Sequence, residues 1–173
     1  TWEEGQLKLH NEYRVNHGVP TLVLDATLTK AAQTWSESML SSSNFAHDPN
    51  SNSGENLSYK SDSSADFRKV LYDSPTTRWY DEVKDYDFAK SEFSSGTGHF
   101  TQVVWKETTK LGCGSASDGT TVYVTCRYEP AGNVLGYFKE NVLPVAEKKA
   151  VADGASFGFT TAFAGLYLLS NLF

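Results

Sequence analysis

Residues 98–105 read Gly98-His99-Phe100-Thr101-Gln102-Val103-Val104-Trp105 and lead, through a short link, into Leu111-Gly112-Cys113-Gly114. The prediction of the fold starts from this stretch. Its apolar positions recur at the i, i+3, i+4 spacing that buries one face of a short helix. His99 stands at the start of that helix, so its side chain can project from the scaffold into a cleft. The far end of the stretch begins a strand that carries Cys113.

Length and composition are typical of one soluble globular domain. A chain of 173 residues is long enough to bury a substantial core. The net charge of −6 argues against a nucleic-acid partner, because phosphate binding needs a basic face. Two cysteines allow one disulfide and exclude a cysteine-rich scaffold.

The first helix is predicted over residues 3–18, where Gly18 ends it. Leu7, Asn11 and Arg14 fall on one face of this helix at i, i+4, i+7. Two interpretations of the polar pair stay open. Asn11 and Arg14 either join a buried hydrogen-bonded network or are simply solvated.

Three more helices are predicted, over 26–42, 65–72 and 75–86, and residues 45–59 are predicted to be a loop. The helix over 75–86 carries an apolar stripe, and Glu82 lies beside that stripe. A carboxylate in such a place costs stability unless another group pairs with it. Glu82 is therefore a candidate site residue on its own evidence.

A β-hairpin is predicted from strands 110–116 and 121–128. If the two-residue turn is 119–120, Cys113 and Cys126 face each other across the hairpin. Cross-strand neighbours of this kind are close enough for a disulfide. The pattern favours that bridge, and two free buried thiols remain the alternative.

Five sequence blocks in this order resemble the signatures of one superfamily. The blocks are His10-Asn11-x-x-Arg14, His17-Gly18-Val19-Pro20, Gly54-Glu55-Asn56, the run at 98–105, and Cys126-Arg127-Tyr128-Glu129-Pro130-Ala131-Gly132-Asn133. They are similar to the CAP superfamily of cysteine-rich secretory, antigen 5 and pathogenesis-related 1 proteins, whose domain is also called SCP. The likeness is strongest to the Golgi-associated pathogenesis-related branch. It spans about residues 3–144 and implies an α+β fold, a three-layer α-β-α sandwich with a central mixed, mainly antiparallel sheet.

The resemblance implies a central cleft with two histidines and two glutamates, which fall on His47, Glu55, Glu82 and His99. Neutral imidazoles bind divalent transition metals, so His47 and His99 are the expected ligands of a weak, open Zn²⁺ site. The two glutamates would orient the imidazoles or bind metal-bound water. The alternative is a polar cluster that joins loops to the sheet without a metal.

Relatives in this superfamily bind sterols, fatty acids or phospholipids in a groove between helices. The aromatic residues available for such a groove are Tyr59, Phe67, Tyr72, Trp79 and Tyr80, although Phe67 and Trp79 are better interpreted as core residues. The remaining histidines, His10 and His17, are predicted to lie at the surface or to cap the first helix.

The resemblance implies a non-enzymatic protein that binds a lipid, a sterol or a protein partner at a membrane or outside the cell. Catalysis by a metal-dependent peptidase or esterase is the alternative, although the sequence contains no HExxH motif. An extracellular or cell-surface location is expected, with Golgi or peripheral-membrane association as the alternative. A homodimer is left open.

The chain divides into a CAP domain over 1–144, a linker over 145–153 and an apolar tail over 154–173. The tail contains no charged residue. It is interpreted first as a GPI-attachment signal, second as a C-terminal membrane anchor, and third as an extension that packs on the domain or a partner. Within the domain, residues 134–142 are predicted to form a final strand or an extended cover.

Overall fold

The computed structural model describes residues 1–61 and 74–146. The helices of this part are α1 (Trp2–Asn16), α2 (Ala26–Ser42), α3 (Pro75–Asp81), α4 (Gly98–Val103) and α5 (Phe138–Asn141), and a 3₁₀ turn at Glu82–Asp85 continues α3. The strands are β1 (Val23–Leu24), β2 (Gly54–Ser61), β3 (Lys110–Ser117) and β4 (Thr121–Glu129). The helix predicted over 65–72, the groove candidates Phe67 and Tyr72, and the tail over 154–173 lie outside the described residues.

The four strands form one sheet in the order β1-β3-β4-β2. Strand β1 runs parallel to β3, while the β3–β4 and β4–β2 pairs are antiparallel. With helices on both faces, the architecture is the expected α-β-α sandwich with a mixed, mainly antiparallel sheet. The fold class is therefore confirmed.

Strand β2 corrects the prediction of a loop over residues 45–59. Its sequence is largely polar and contains no β-branched residue, so local propensity gives little sign of a strand. It nevertheless pairs with β4 along its whole length, from Gly54 opposite Tyr128 to Ser61 opposite Thr121. Backbone pairing with a buried neighbour overrides the weak local preference.

The β3–β4 hairpin has the predicted register. Asp118 N donates to Thr121 O at 3.3 Å, which leaves residues 119–120 as the turn, and Gly119 has the positive φ of 93° that such a turn requires. Cys113 is opposite Cys126, and the two form a disulfide. The bridge is fully buried in the core.

Helix α2 lies directly on strand β3 because two positions of the strand have no side chain. A Cβ atom at Gly112 would overlap the backbone of α2 at residues 28–29, and one at Gly114 would overlap it at residues 32–33. The hydroxyl of Ser36 donates to Gly114 O at 3.1 Å, which satisfies a carbonyl inside this tight contact. Cys113, between the two glycines, faces the opposite layer.

The opposite face of the sheet holds the main core, and Arg14 of α1 is buried inside it. Its guanidinium donates to four carbonyl oxygens, those of Pro20, Val103, Trp105 and Thr108, at 2.7–3.0 Å. Burial lowers the pKa of Arg14 to about 10, so the side chain remains charged at neutral pH. The buried-network interpretation is confirmed for Arg14, whereas Asn11 is half-buried and bonds the backbone of Leu22.

Two smaller expectations are corrected. His10 and His17 are buried, with 0% and 1% of their surface exposed, so neither lies at the surface, although His17 does occupy the C-cap position of α1. The segment over residues 134–142 contains no strand; it forms a turn and then α5.

In the described ranges, 1–61 and 74–146, no helix is long and apolar enough to cross a membrane.

Candidate functional site: a cleft with two histidine–glutamate pairs

Glu82 holds His99 at the start of helix α4. Its Oε1 lies 2.7 Å from His99 Nδ1, while its Oε2 accepts hydrogen bonds from the backbone N–H groups of His99 at 3.0 Å and Phe100 at 3.1 Å. The first N–H groups of a helix have no partner within the helix, and the side chain of Thr97 does not cap them. One carboxylate therefore caps α4 and orients the imidazole that α4 presents.

The aromatic ring of Trp79 supports the other side of His99. The two rings are nearly parallel, at 13°, with centroids 6.0 Å apart. Trp79 is itself fixed by a 3.2 Å hydrogen bond from its indole N–H to Leu57 O on β2. The position of His99 is thus set by α3, by the 3₁₀ turn after it and by β2 together. Trp79 is a core residue, as predicted.

The second pair joins His47 to Glu55 at the start of β2. Glu55 Oε1 lies 2.6 Å from His47 Nδ1 and accepts from Asp48 N at 3.3 Å. The side chain of Glu55 is only 6% exposed, whereas that of His47 is 68% exposed. A buried carboxylate therefore holds an exposed imidazole, and it raises the pKa of His47 above its usual value through this hydrogen bond.

Arg127 anchors this second pair from strand β4. Its Nη2 lies 2.6 Å from Asp48 Oδ2 and 3.5 Å from Glu55 Oε2, and its Nη1 donates to Ser51 Oγ at 2.6 Å. The hydrogen bond from Arg127 lowers the pKa of Asp48. The guanidinium thereby fixes the loop that carries His47 against the sheet. Sequence reasoning gave Arg127 no role, although it lies inside the last family block.

Two asparagines tie the walls of the cleft together. Asn56 Nδ2 donates to His99 O at 3.1 Å and to the Tyr128 hydroxyl at 3.2 Å. Asn133 Nδ2 donates to Gly98 O at 2.9 Å, and its Oδ1 accepts from Thr101 Oγ1 at 2.6 Å. Both asparagines occur in the blocks that revealed the resemblance, and that position was the only available signal for their role.

The two pairs and the asparagines surround one pocket of about 200 Å³. Its lining residues are His47, Glu55, Asn56, Phe93, Ser95, Gly98, His99 and Asn133. Three of the four predicted cleft residues thus line the same pocket. Glu82, the fourth, contacts His99 from behind it.

The donor chemistry of the cleft fits a divalent transition metal, while the number of ligands fits only an open site. Each imidazole has its Nδ1 on a carboxylate, the arrangement that orients metal-binding histidines. Nε2 of His47 and Nε2 of His99 are then the nitrogens that would hold the ion. Among the described residues, no group of three or more histidines, cysteines, aspartates or glutamates is arranged to bind a metal.

Comparison with known proteins agrees with the fold. The sequence matches the cysteine-rich secretory protein (CAP) family over residues 7–128. The chain belongs to this family. It is 49% identical over 149 residues to the human Golgi-associated plant pathogenesis-related protein 1, a match that covers 80% of this chain and 90% of the human protein.

Other relatives come from yeast and wasp. Protein PRY2 of Saccharomyces cerevisiae is 39% identical over 142 residues, which cover 79% of this chain and 40% of the yeast protein. Venom allergen 5 of Dolichovespula arenaria is 34% identical over 173 residues, which cover 83% of this chain and 79% of the allergen. Relatives in the family include proteins named as Golgi-associated and as secreted.

Solved structures show the same fold. The structure of BmVAL-1 matches with a TM-score of 0.68 at 23% identity, over 84% of this chain and 83% of that one. The crystal structure of NaASP2 with Zn²⁺ matches with a TM-score of 0.62 at 27% identity, over 83% of this chain and 85% of that one. A member of this fold has therefore been crystallised with zinc.

Proposed function

We propose that the chain is a non-enzymatic CAP-domain protein that binds a lipid or sterol at a membrane or in the extracellular space. The polar end of the ligand enters the cleft between His47 and His99. One observation carries this proposal. The cleft is an open polar pocket with an exposed aromatic ring, Phe93, on its wall, so a polar group and an apolar body can be bound side by side.

The groups that a ligand can use follow from the hydrogen bonds already made. In the described residues, Nδ1 of each imidazole is occupied by a glutamate, which leaves Nε2 of His47 and of His99. The hydroxyl of exposed Ser95 lies on the same pocket wall. In the neutral imidazole Nε2 accepts a hydrogen bond from a ligand hydroxyl, while the Ser95 hydroxyl can donate one to a hydroxyl or phosphate oxygen.

The same set of hydrogen bonds in the cleft favours ligand binding over nucleophilic catalysis. A hydroxyl or thiol nucleophile needs a base within hydrogen-bond reach. Both cysteines are joined in the buried disulfide. Within residues 1–61 and 74–146, the hydrogen bonds made by the rings of His47 and His99 go to Glu55 and Glu82 and to no serine or threonine.

A weak divalent metal site belongs to the proposal. Nε2 of His47 and Nε2 of His99 hold the ion, with Glu55 and Glu82 fixing the two rings. When bound, the ion supplies positive charge for an anionic head group. The crystal structure of a relative with Zn²⁺ supports this choice of metal.

A cleft-blocking variant tests the proposal. Ser95→Trp places a large ring at the exposed cleft wall, and Ser38→Trp on the exposed face of α2 is the matched control. Titration with fluorescent sterol, fatty-acid and phospholipid probes should show saturable binding by the wild type and by Ser38→Trp, with at least a tenfold loss in Ser95→Trp. Absence of saturable binding to every lipid class would overturn the proposal.

The disulfide and the relatives support the proposed location. A buried disulfide is typical of an oxidising compartment, which supports an extracellular or cell-surface protein. The human relative, named as Golgi-associated, supports the alternative of Golgi or peripheral-membrane association.

A metal-dependent hydrolase is the second candidate, and one observation favours it. Each imidazole is held by a carboxylate in the way that orients a catalytic base. This candidate requires hydrolysis of peptide or ester substrates that zinc supports. The activity should then be lost in both His99→Ala and Glu82→Gln, and unaffected by Ser38→Trp.

A further inference from the structure

Four large apolar side chains are exposed beside the mouth of the cleft. Val134-Leu135-Gly136-Tyr137, here called the rim turn, supplies three of them, and Phe93 is the fourth. Leu135 is 75% exposed, Tyr137 53%, Phe93 49% and Val134 46%. Placing such side chains in water is costly, and a group of exposed apolar side chains at one end of a cleft is typical of a contact surface.

The rim turn is rigid, and its backbone places a leucine at its tip. Tyr137 N donates to Val134 O at 3.1 Å, and Gly136 has a φ of 87°. These are the hydrogen bond and the left-handed third residue of a type II β-turn, with Leu135 as its second residue. Asn133, just before the turn, is held to Gly98 and Thr101 by two side-chain hydrogen bonds. Little conformational entropy remains to be lost when the turn binds.

The turn and Phe93 belong to the same end of the cleft. The ring of Phe93 packs against that of Phe138, which directly follows the turn, with centroids 6.2 Å apart. Phe93 and Asn133 both line the cleft pocket. Whatever covers the rim turn therefore lies beside the cleft mouth.

Charge narrows the choice of partner. Residues 130–138 contain no charged side chain, and the exposed charged neighbours of the patch, Glu92, Lys139 and Glu140, bring one positive and two negative charges. The chain as a whole carries a net charge of −6. An acidic protein with an uncharged contact loop is poorly suited to electrostatic adsorption on anionic lipids. It is suited to shallow apolar insertion, with a tyrosine at the level of the head groups, where tyrosine is enriched.

We propose that the rim turn and Phe93 insert into the interface of a neutral lipid bilayer and hold the cleft mouth at the membrane surface. The proposal deepens the lipid-binding function proposed above and rests on it, because a cleft at the bilayer can take its ligand from the membrane.

A bilayer fits the size of the patch better than a second copy of the chain does. The four partly exposed side chains offer on the order of 300–400 Å². A stable protein interface needs about 800 Å² from each partner. Residues 154–173, which contain no charged residue, also have the length of a segment that can span a bilayer.

The depth of the turn can be measured in the full chain. Tyr137→Cys and, as a matched control, Val15→Cys are labelled with an environment-sensitive fluorophore; Val15 is 61% exposed on α1. The native cysteines are buried in their disulfide and do not react. With phosphatidylcholine vesicles that contain nitroxide-labelled lipid, the probe at position 137 should be quenched at least about threefold more than the probe at position 15, because interfacial segments lie roughly 5–10 Å below the surface.

A second variant shows whether the leucine at the tip matters. Leu135→Ser in the labelled Tyr137→Cys chain should reduce the quenching, while Val15→Ser in the same chain should leave it unchanged. Vesicle-bound protein with equal quenching at positions 137 and 15 would overturn the insertion and leave the lipid-binding function intact.

Two other outcomes also decide the matter. If the protein binds soluble lipid probes in its cleft but does not bind vesicles, the insertion is wrong and the proposed function stands. If light scattering shows a dimer that Leu135→Ser dissociates, the rim turn is a protein interface, and the membrane proposal is overturned.

Discussion

The four histidines of this chain fall into two pairs with opposite environments. His10 of α1 and His17, which directly follows α1, are buried, and each bonds a backbone carbonyl and a tyrosine hydroxyl. His47 and His99 reach the cleft, and each bonds a glutamate. Burial lowers the pKa of His10 to about 4 and also lowers that of His17, whereas Glu55 raises that of His47. The same side chain thus stabilises the fold in one region and offers a binding group in the other.

The tautomer of His10 illustrates the structural role. Gln6 O can only accept, so His10 Nδ1 carries the proton in the 2.8 Å contact between them, and Nε2 accepts from the Tyr128 hydroxyl, also at 2.8 Å. That hydroxyl in turn accepts from Asn56, which lines the cleft. A neutral imidazole therefore joins α1 to the residues behind the site, and it has no nitrogen left for a ligand.

Removing one histidine from each pair should give the largest contrast. His10→Ala leaves a cavity and deprives Tyr128 of its acceptor, so we expect a loss of about 4 kcal/mol in the free energy of unfolding. His47→Ala removes an exposed ring and should change that free energy by no more than about 0.5 kcal/mol. Urea denaturation with the disulfide intact measures both. Similar losses in the two variants would show that the pairs do not differ in this way.

His10 should make the free energy of unfolding depend on pH. Its pKa is about 4 in the folded chain and 6.5 when unperturbed, so between these values the unfolded chain binds more protons and stability falls as pH falls. The expected loss from this residue is about 3 kcal/mol between pH 6.5 and pH 4. His17 acts in the same direction.

A non-titrating variant isolates this effect. His10→Gln lowers stability at every pH but should flatten the slope between pH 6.5 and pH 4, when urea denaturation is repeated across that range. A slope as steep as that of the wild type would assign the pH dependence to other groups.

The smallest expected effect is the contribution of His47 to the pH dependence of stability, and its sign is opposite to that of His10. Because Glu55 raises the pKa of His47, this residue contributes stability that is present below the unperturbed value of 6.5 and is lost as pH rises through the raised value. In Glu55→Gln the pKa of His47 should fall, as followed by NMR of the ring protons in the presence of a chelator. Glu12→Gln on the exposed face of α1 is the control. An unchanged pKa in Glu55→Gln would mean that the pair does not form in solution.

The sequence predicts those parts of the fold that local pattern determines. The apolar stripe of α2 gives its bounds, 26–42, and the turn at 119–120 sets the register that pairs Cys113 with Cys126. Strand β2 was missed because its polar residues signal a strand only through their pairing with β4. A local sequence pattern contains no information about a neighbouring strand that is distant in sequence.

The same limit explains what could be said of the histidines. His99 was predicted to reach the cleft because it lies inside a recognisable block, and His47 because it is the one histidine in the loop before Gly54-Glu55-Asn56. The burial of His10 and His17 was not predicted because their partners, Tyr128 and Tyr80, are 118 and 63 residues away. No periodicity within α1 distinguishes a histidine that faces such a partner from one that faces solvent.

We expect the cleft pair, His47 and His99, to bind Zn²⁺ and the buried pair, His10 and His17, not to bind it. Zinc titration of the full chain, followed by long-range ¹⁵N NMR of the imidazoles, tests it most directly. We expect the Nε2 signals of His47 and His99 to shift together and those of His10 and His17 to stay unchanged. His47→Ala or His99→Ala should weaken binding at least about tenfold. Zinc-dependent shifts at His10 or His17, or none at His47 and His99, would contradict it.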